Sequence, residues 1–212
     1  MNRIIIISAL MAMALAVACG GGGEVASDPP RSEPLTTAQL TELLLTREDV
    51  GASWKVGIPN DPVRPFCGME FPATATAEVV ITFREDNPTY TAVPQFVQAF
   101  PPGEAERAMA DGLARIQACT GWVDGIDALG KEITVRVSPI SFPTFGDDTL
   151  ALRKSAEVSI LGTQTLDVIY VRRGDLVTTI IYWPWFGDAS DIDSEQVESF
   201  ARLANLKLAA LD

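Results

Sequence analysis

LDVIYVRRGDLVTTIIYW, residues 166–183, decides the fold class of this chain. Leu166 to Val171 and Leu176 to Trp183 are short runs rich in Val, Ile, Thr and Tyr, the residues that favour pleated strands. Between them stands Arg172-Arg173-Gly174-Asp175, in which glycine and aspartate are turn residues. The stretch reads as a hairpin, and a hairpin makes its two strands antiparallel neighbours.

Upstream of the hairpin the pattern continues. Leu150 and Leu152 start a strand carried on by Val158 and Ile160. Before it, Ile133, Val135 and Val137 alternate with Thr134, Arg136 and Ser138, as in a half-buried strand. Pro101-Pro102-Gly103 introduces a helix from Glu104 to Thr120, with Ala105, Met109, Leu113, Ile116 and Cys119 on its apolar face and Gly121 as its cap. Earlier still, Glu78–Arg84 and Tyr90–Phe100 are expected strands on either side of the turn Asp86-Asn87-Pro88. Pro94 should place the second of these at an edge or a bulge. Thr36 and Gln39 form a capping-box pattern ahead of Leu40, Leu43 and Leu44, Thr46 can cap a second short turn ending at Gly51, and Trp54 to Ile58 can be extended. Downstream, Asp193 and Gln196 open a final helix whose buried face is Val197, Phe200, Ala204 and Leu208. Hairpin-linked strands with helices grouped between them argue for a single α+β domain over residues 36–212, an antiparallel sheet of about five to six strands flanked by helices. No internal repeat is visible.

The remaining N-terminal stretch is of another kind. Arg3 and the amino terminus give a positive start, Ile4 to Ala18 is apolar apart from Ser8, and Ala16-Val17-Ala18-Cys19 closes the run. An apolar run of about 15 residues is short for a bilayer span and suits the central region of a secretory signal. Residues 1–18 therefore read as a signal peptide. The segment resembles the lipobox cut by bacterial signal peptidase II, with Ala16 where leucine is common; the resemblance implies lipid, including palmitate, on Cys19. Residues 19–35 then form the lipidated cysteine and a Gly-, Pro- and Ser-rich tether with little to bury.

Charge and cysteines narrow the function. Acids outnumber bases 28 to 16, for a net charge of −12, and such a surface repels phosphate backbones, so nucleic acid is not an expected partner. With Cys19 assigned to lipid, Cys67 and Cys119 remain as a pair in an oxidising compartment. A disulfide between them would close a loop of about 53 residues, rated at roughly 4 kcal/mol by chain entropy. Two free thiols or a metal pair are the alternatives, and the chain has no histidine to complete a zinc site.

Zero histidines also removes the commonest general base and the serine–histidine pair, and no GxSxG, Walker loop or strand-linked GxGxxG is present. No catalytic residue, metal site or cofactor is therefore assigned. Carboxylate-only hydrolysis is the enzymatic alternative, though no pair stands out. The acids Asp188, Asp191, Asp193, Glu195 and Glu198 suggest calcium at first sight. An EF-hand register from Asp191 would put Gln196 at the glycine and Arg202 at the bidentate glutamate, so capping of a helix start is the better reading. Arg173-Gly174-Asp175 spells an adhesion tripeptide but sits where a turn is required. Trp183, Trp185 and Phe186 cluster around Pro184 at a strand end, where they can line an apolar ligand site or plug the core.

Taken together, the lipobox and tether, Leu43-Leu44-Leu45-Thr46 with Asp49-Val50-Gly51, the helix from Glu104 to Trp122 with its cysteine, the hairpin at Arg172–Asp175 and the closing helix resemble the PknH-like extracellular sensor-domain lipoproteins of actinobacteria. The resemblance covers most of residues 36–211. It implies an antiparallel sheet flanked by helices with a cleft for an extracellular ligand, and two disulfides where this chain can form only one. It supplies no catalytic residues. The expectation is a lipid-anchored protein on the extracytoplasmic side of the cell membrane, with a non-catalytic domain that binds a small-molecule or lipid ligand, or alternatively docks on another envelope protein.

Overall fold

The structure, a computed structural model, describes residues 35–58, 75–85, 90–119, 121–185 and 187–211, which belong to one compact unit. The expectations for residues 1–34 with Cys19, for Cys67, for the turn Asp86-Asn87-Pro88 and for Phe186 lie outside the described residues.

Two short helices come first, α1 (Thr37–Glu42) and α2 (Arg47–Val50). Both start on capping boxes: Thr36 with Gln39, and Thr46 with Asp49. Each box satisfies N–H groups that the first turn leaves without carbonyl partners. The strands β1 (Lys55–Val56), β2 (Ala77–Arg84) and β3 (Thr91–Ala99) follow, then helix α3 (Glu104–Ala118). Next come β4 (Gly121–Ile126), β5 (Glu132–Pro139), β6 (Asp148–Val158), β7 (Gly162–Arg173) and β8 (Leu176–Pro184). A 3-10 turn at Ala189–Asp191 leads into α4 (Ser194–Ala209), capped by Asp193, whose side chain accepts the Gln196 N–H.

The strands form one antiparallel sheet in the order β1-β2-β3-β8-β7-β6-β5-β4. Helices α1, α2 and α4 lie over one face, where Trp54, Phe83, Val93, Ile169, Ile180 and Phe200 interlock. Trp54 meets Phe200 edge-on at 5.6 Å between ring centroids. Helix α3 covers part of the other face and buries Phe96, Leu152, Val168, Tyr170 and Ile181. Strands β3, β7 and β8 are thus sandwiched, which is why they read as nearly continuous apolar runs. One polar group ties the layers together: Gln95, fully buried, accepts the Leu45 N–H at 2.6 Å and donates to the Thr178 hydroxyl at 3.2 Å.

Eight strands form where about five to six were expected. The extra ones are β1, only two residues long, and β4, whose sequence GWVDGI carries too little apolar alternation to announce a strand. Gly121 consequently does not cap α3; it opens β4, and the helix ends instead at an extended Cys119. A Cβ at position 121 would stand 2.9 Å from the Val135 carbonyl oxygen, so close strand approach requires glycine there. Helix α3 is also turned relative to expectation. It packs through Ala105, Ala108, Met109, Gly112 and Ile116, and small residues let it lie near the sheet while Leu113 is left 38% exposed. Cys119 lies beyond the helix, half-buried.

Two strand expectations change as well. Ile160 does not continue β6 but sits exposed in the β6–β7 turn. Pro94 lies in β3, which has partners on both sides, rather than at an edge. Pairing with β8 holds at Ala92 and resumes in the same register at Gln95, so the missing N–H interrupts the ladder without shifting it. Opposite Pro94, the buried Thr82 hydroxyl has no hydrogen-bond partner among the described residues.

Candidate functional site

The aromatic strand end splits the two readings proposed for it. Trp183 is half-buried in β8 and packs against the cluster beneath α3. Trp185, just past the strand, is 40% exposed. Their rings pair at 4.8 Å between centroids, tilted by 31°. Trp183 shares a row with Ala92 and Arg84 across β8, β3 and β2. Arg84 in turn stacks its guanidinium over the Tyr90 ring at 5.1 Å, a cation–π distance. Tyr90 holds a left-handed backbone, φ 53°, and its carbonyl accepts the Trp185 N–H. Trp183 therefore packs against the core, whereas Trp185 leaves part of its ring exposed.

A second feature arises on the opposite face, at the far side of the sheet. Gly121, Thr134, Arg136, Ser138 and Ser155, with Val137, line an open hollow of about 580 Å³. Register explains their meeting. Gly121, Arg136 and Ser155 stand in one row across β4, β5 and β6, while Thr134 and Ser138 flank Arg136 along β5 on the same face. The next row brings Ser138 opposite Arg153, and Arg153 opposite Asp167. Asp167, its side chain 3% exposed, accepts two bonds from Arg153, at 2.7 and 2.8 Å, and this fork raises the Arg153 pKa. Thr134, Arg136 and Ser138 were visible in the sequence as the polar positions of an alternating strand. Their convergence with Gly121 and Ser155 was not, because β4 itself was not recognised.

The other sequence features take structural roles. Asp188 accepts from the Ser190 N–H and hydroxyl, at 2.7 and 2.6 Å, and these bonds lower its pKa; Asp191 returns to the Asp188 N–H. Glu198 pairs with Arg202. The acidic cluster is thus spent on capping and helix pairing, and no group of three or more metal-ligating side chains occurs among the described residues. In the Arg173-Gly174-Asp175 turn, Gly174 takes φ 55° and Asp175 accepts the Gly103 N–H at 2.8 Å, clamping the start of α3. Cys119 stands half-buried just past α3, and the other two cysteines lie outside the described residues. No helix among the described residues is long and apolar enough to cross a membrane.

No protein-family profile and no curated protein matches the sequence. Among solved structures, the extracellular domain of PknH from Mycobacterium tuberculosis aligns with 84% of this chain and 98% of its own, at 15% identity and a TM-score of 0.59. The chain has the fold of that extracellular domain. At this identity the likeness speaks for the architecture, an antiparallel sheet with helices on both faces, and the sensor-domain resemblance read from the sequence is borne out at that level.

Proposed function

We propose that this protein is a lipid-anchored, extracytoplasmic, non-catalytic domain of the ligand-binding or sensor type. The observation that carries the proposal is the fold, shared over nearly the whole length of an extracellular domain. The N-terminal reading supports it: a signal peptide over residues 1–18, lipid on Cys19, and a tether to about residue 35 that holds the domain off the extracytoplasmic face of the cell membrane. Trp183, Trp185 and Phe186 are the proposed apolar ligand contacts, and the exposed face of Trp185 supports that role. The anchor is tested by palmitate labelling of cells expressing the full chain and the Cys19→Ser variant. The label and the membrane fraction should both be lost in the variant; a variant still labelled overturns the anchor. Ligand binding is tested by native mass spectrometry of the mature protein extracted from membranes, where a bound adduct lost in Trp185→Ala is expected. An adduct retained in that variant removes Trp185 from the site.

A disulfide between Cys67 and Cys119 is part of the same proposal. With Cys19 assigned to lipid, the even pair of cysteines left in an oxidising compartment supports it. Peptide mapping without reductant should recover the two cysteines in one linked species.

Docking on another envelope protein is a second reading, favoured by one observation. The tips of the β4–β5 and β6–β7 hairpins expose Ile126, Leu129, Ile160 and Leu161, at 70, 60, 61 and 47%. Clustered exposed apolar side chains mark interaction surfaces. A photo-reactive residue at position 160 in intact cells should then yield a discrete cross-link to one envelope protein, and none if the tips face only water.

A further inference from the structure

We propose that the hollow on the β4–β6 face is a binding site for a small hydroxylated anion, of the sugar phosphate or sugar acid type, with Arg136 as the oxyanion receptor. The inference rests on the ligand-binding reading above and assigns it a second site and a ligand chemistry.

Arg136 occupies the centre of a cross. Gly121 and Ser155 flank it across the strands, and Thr134 and Ser138 flank it along β5. Of the charged groups nearby, Asp167 is neutralised by Arg153 through two bonds, whereas Glu157 keeps its charge while accepting the Thr163 hydroxyl at 2.8 Å. Glu132 stands beyond Thr134 on β5. Both carboxylates lie at the Thr134 end, so the oxyanion is received on the Ser138 and Ser155 side of Arg136. Elsewhere in the domain Arg107, Arg172 and Arg202 each pair with a carboxylate. Among the described residues the Arg136 guanidinium has neither a hydrogen bond nor an ion pair, in a chain where acids outnumber bases 28 to 16. A guanidinium offers five N–H donors in a planar fork and no acceptor, a geometry matched by a carboxylate or phosphate.

The surrounding groups define the rest of the ligand. Serine and threonine hydroxyls each donate and accept, so they suit a polyhydroxylated body better than an apolar one. Thr134 and Ser138 each stand two residues from Arg136 on the same face of β5, about 7 Å along the strand, so a sugar held by the arginine can reach one of these hydroxyls. Gly121 keeps the β4 flank of this open hollow free of a side chain. The aromatic strand end offers none of this polar complement, so the two features would take different ligands.

The test is an amide chemical-shift titration of the full-length chain in detergent micelles with glucose 6-phosphate, glucuronate, inorganic phosphate and glucose, each to about 20 mM, a range that reveals millimolar affinity. Saturable shifts confined to Thr134, Arg136, Ser138 and Ser155 are expected with glucose 6-phosphate or glucuronate, and the stronger of the two identifies the oxyanion. Glucose should give none. Arg136→Gln should weaken binding at least about tenfold, the loss expected for a charge-assisted bond, with Arg136→Lys intermediate because it keeps the charge and loses the fork. Arg136 is exposed, so both variants should keep the wild-type melting midpoint. Equal binding by Arg136→Gln, or no saturable shift with either anion, overturns the inference. Shifts mapping to Trp183 and Trp185 instead would overturn it while leaving the ligand-binding reading in place.

Discussion

The two halves of the sheet are built on different terms. In β3, β7 and β8 both faces are covered, and β8 alone buries Leu176, Val177, Ile180, Ile181 and Tyr182. In β4 and β5 the burial alternates or fails, with Val135 and Val137 turned inward and Thr134, Arg136 and Ser138 turned to water. Central strands can spend every side chain on packing, so they have no surface to offer a partner. The outer wing keeps a polar face, and its edge strand leaves backbone groups without a partner strand. Stability is concentrated in one half and recognition surface in the other, with the aromatic pair at the margin of the first and the arginine hollow in the second.

The contrast predicts unequal mutational costs, the largest at the centre. Ile180 is 0% exposed between β3 and β7 and beneath α4. Ile180→Ala should lower stability by about 4 kcal/mol, because a site enclosed by sheet and helix cannot collapse to refill the cavity. Urea unfolding of the mature protein checks this, and a loss below about 1 kcal/mol would break the contrast at its strongest point. Next in size is Gln95→Leu. The change removes the acceptor of the buried Leu45 N–H, and leaving that donor without a partner should cost about 2 kcal/mol. Hydrogen exchange at Leu45 should accelerate with it, since the Gln95 amide fastens the segment between α1 and α2 to the sheet.

The same division governs how much was legible in the sequence. Helix α4 was readable in full because Asp193 signals its start and Val197, Phe200, Ala204 and Leu208 keep the helical period. The capping boxes at Thr36 and Thr46 were local in the same way. The hairpin of β7 and β8 was legible because two apolar runs met at a glycine turn. The outer wing hid itself. Strand β4 has one large buried-side residue, Trp122, and its register slips between Val123 and Ile126, so neither alternation nor length gave it away. Leu113 was misplaced because periodicity locates a stripe but not which edge of it the sheet selects; small residues at Ala108 and Gly112 decided that. Of the candidate site, the polar positions on β5 could be seen, whereas their neighbours Gly121 and Ser155 come from strands joined to β5 only by tertiary pairing.

A smaller effect belongs to the wing itself. Val123 on β4 is 53% exposed, and Val123→Ala should change stability by less than about 0.5 kcal/mol, the usual range for surface sites. Measured beside Ile180→Ala, it sets the width of the contrast. A loss of several kcal/mol would mean that the outer wing is as tightly packed as the centre, and the hollow would then lie on a rigid rather than a compliant support.

The last prediction concerns what holds the wing together at all. Asp127 joins its two hairpin tips: one carboxylate oxygen accepts the N–H groups of Leu129 and Lys131, at 2.8 and 3.0 Å, and the other accepts the Ser159 N–H at 3.1 Å. The Ser159 hydroxyl foremost, then the Lys131, Leu129 and Ser159 N–H groups, stabilise the charged form and lower the pKa from 3.8 to about 2. A carboxylate whose folded pKa is depressed contributes its stabilisation above the unfolded value and loses it as pH falls through the folded one. The tie between the tips should therefore be intact above about pH 4 and loosen between pH 4 and 2. Carbon-detected titration of the Asp127 carboxyl should give a midpoint near 2, with amide exchange at Leu129 and Ser159 rising over the same window and no parallel rise at Ile180. Asp127→Asn should show the faster tip exchange already at neutral pH, since an amide brings two donors to a place that needs only acceptors. A midpoint at the ordinary aspartate value would mean that the two hairpins are held by packing of Ile126, Leu129, Ile160 and Leu161 rather than by this carboxylate.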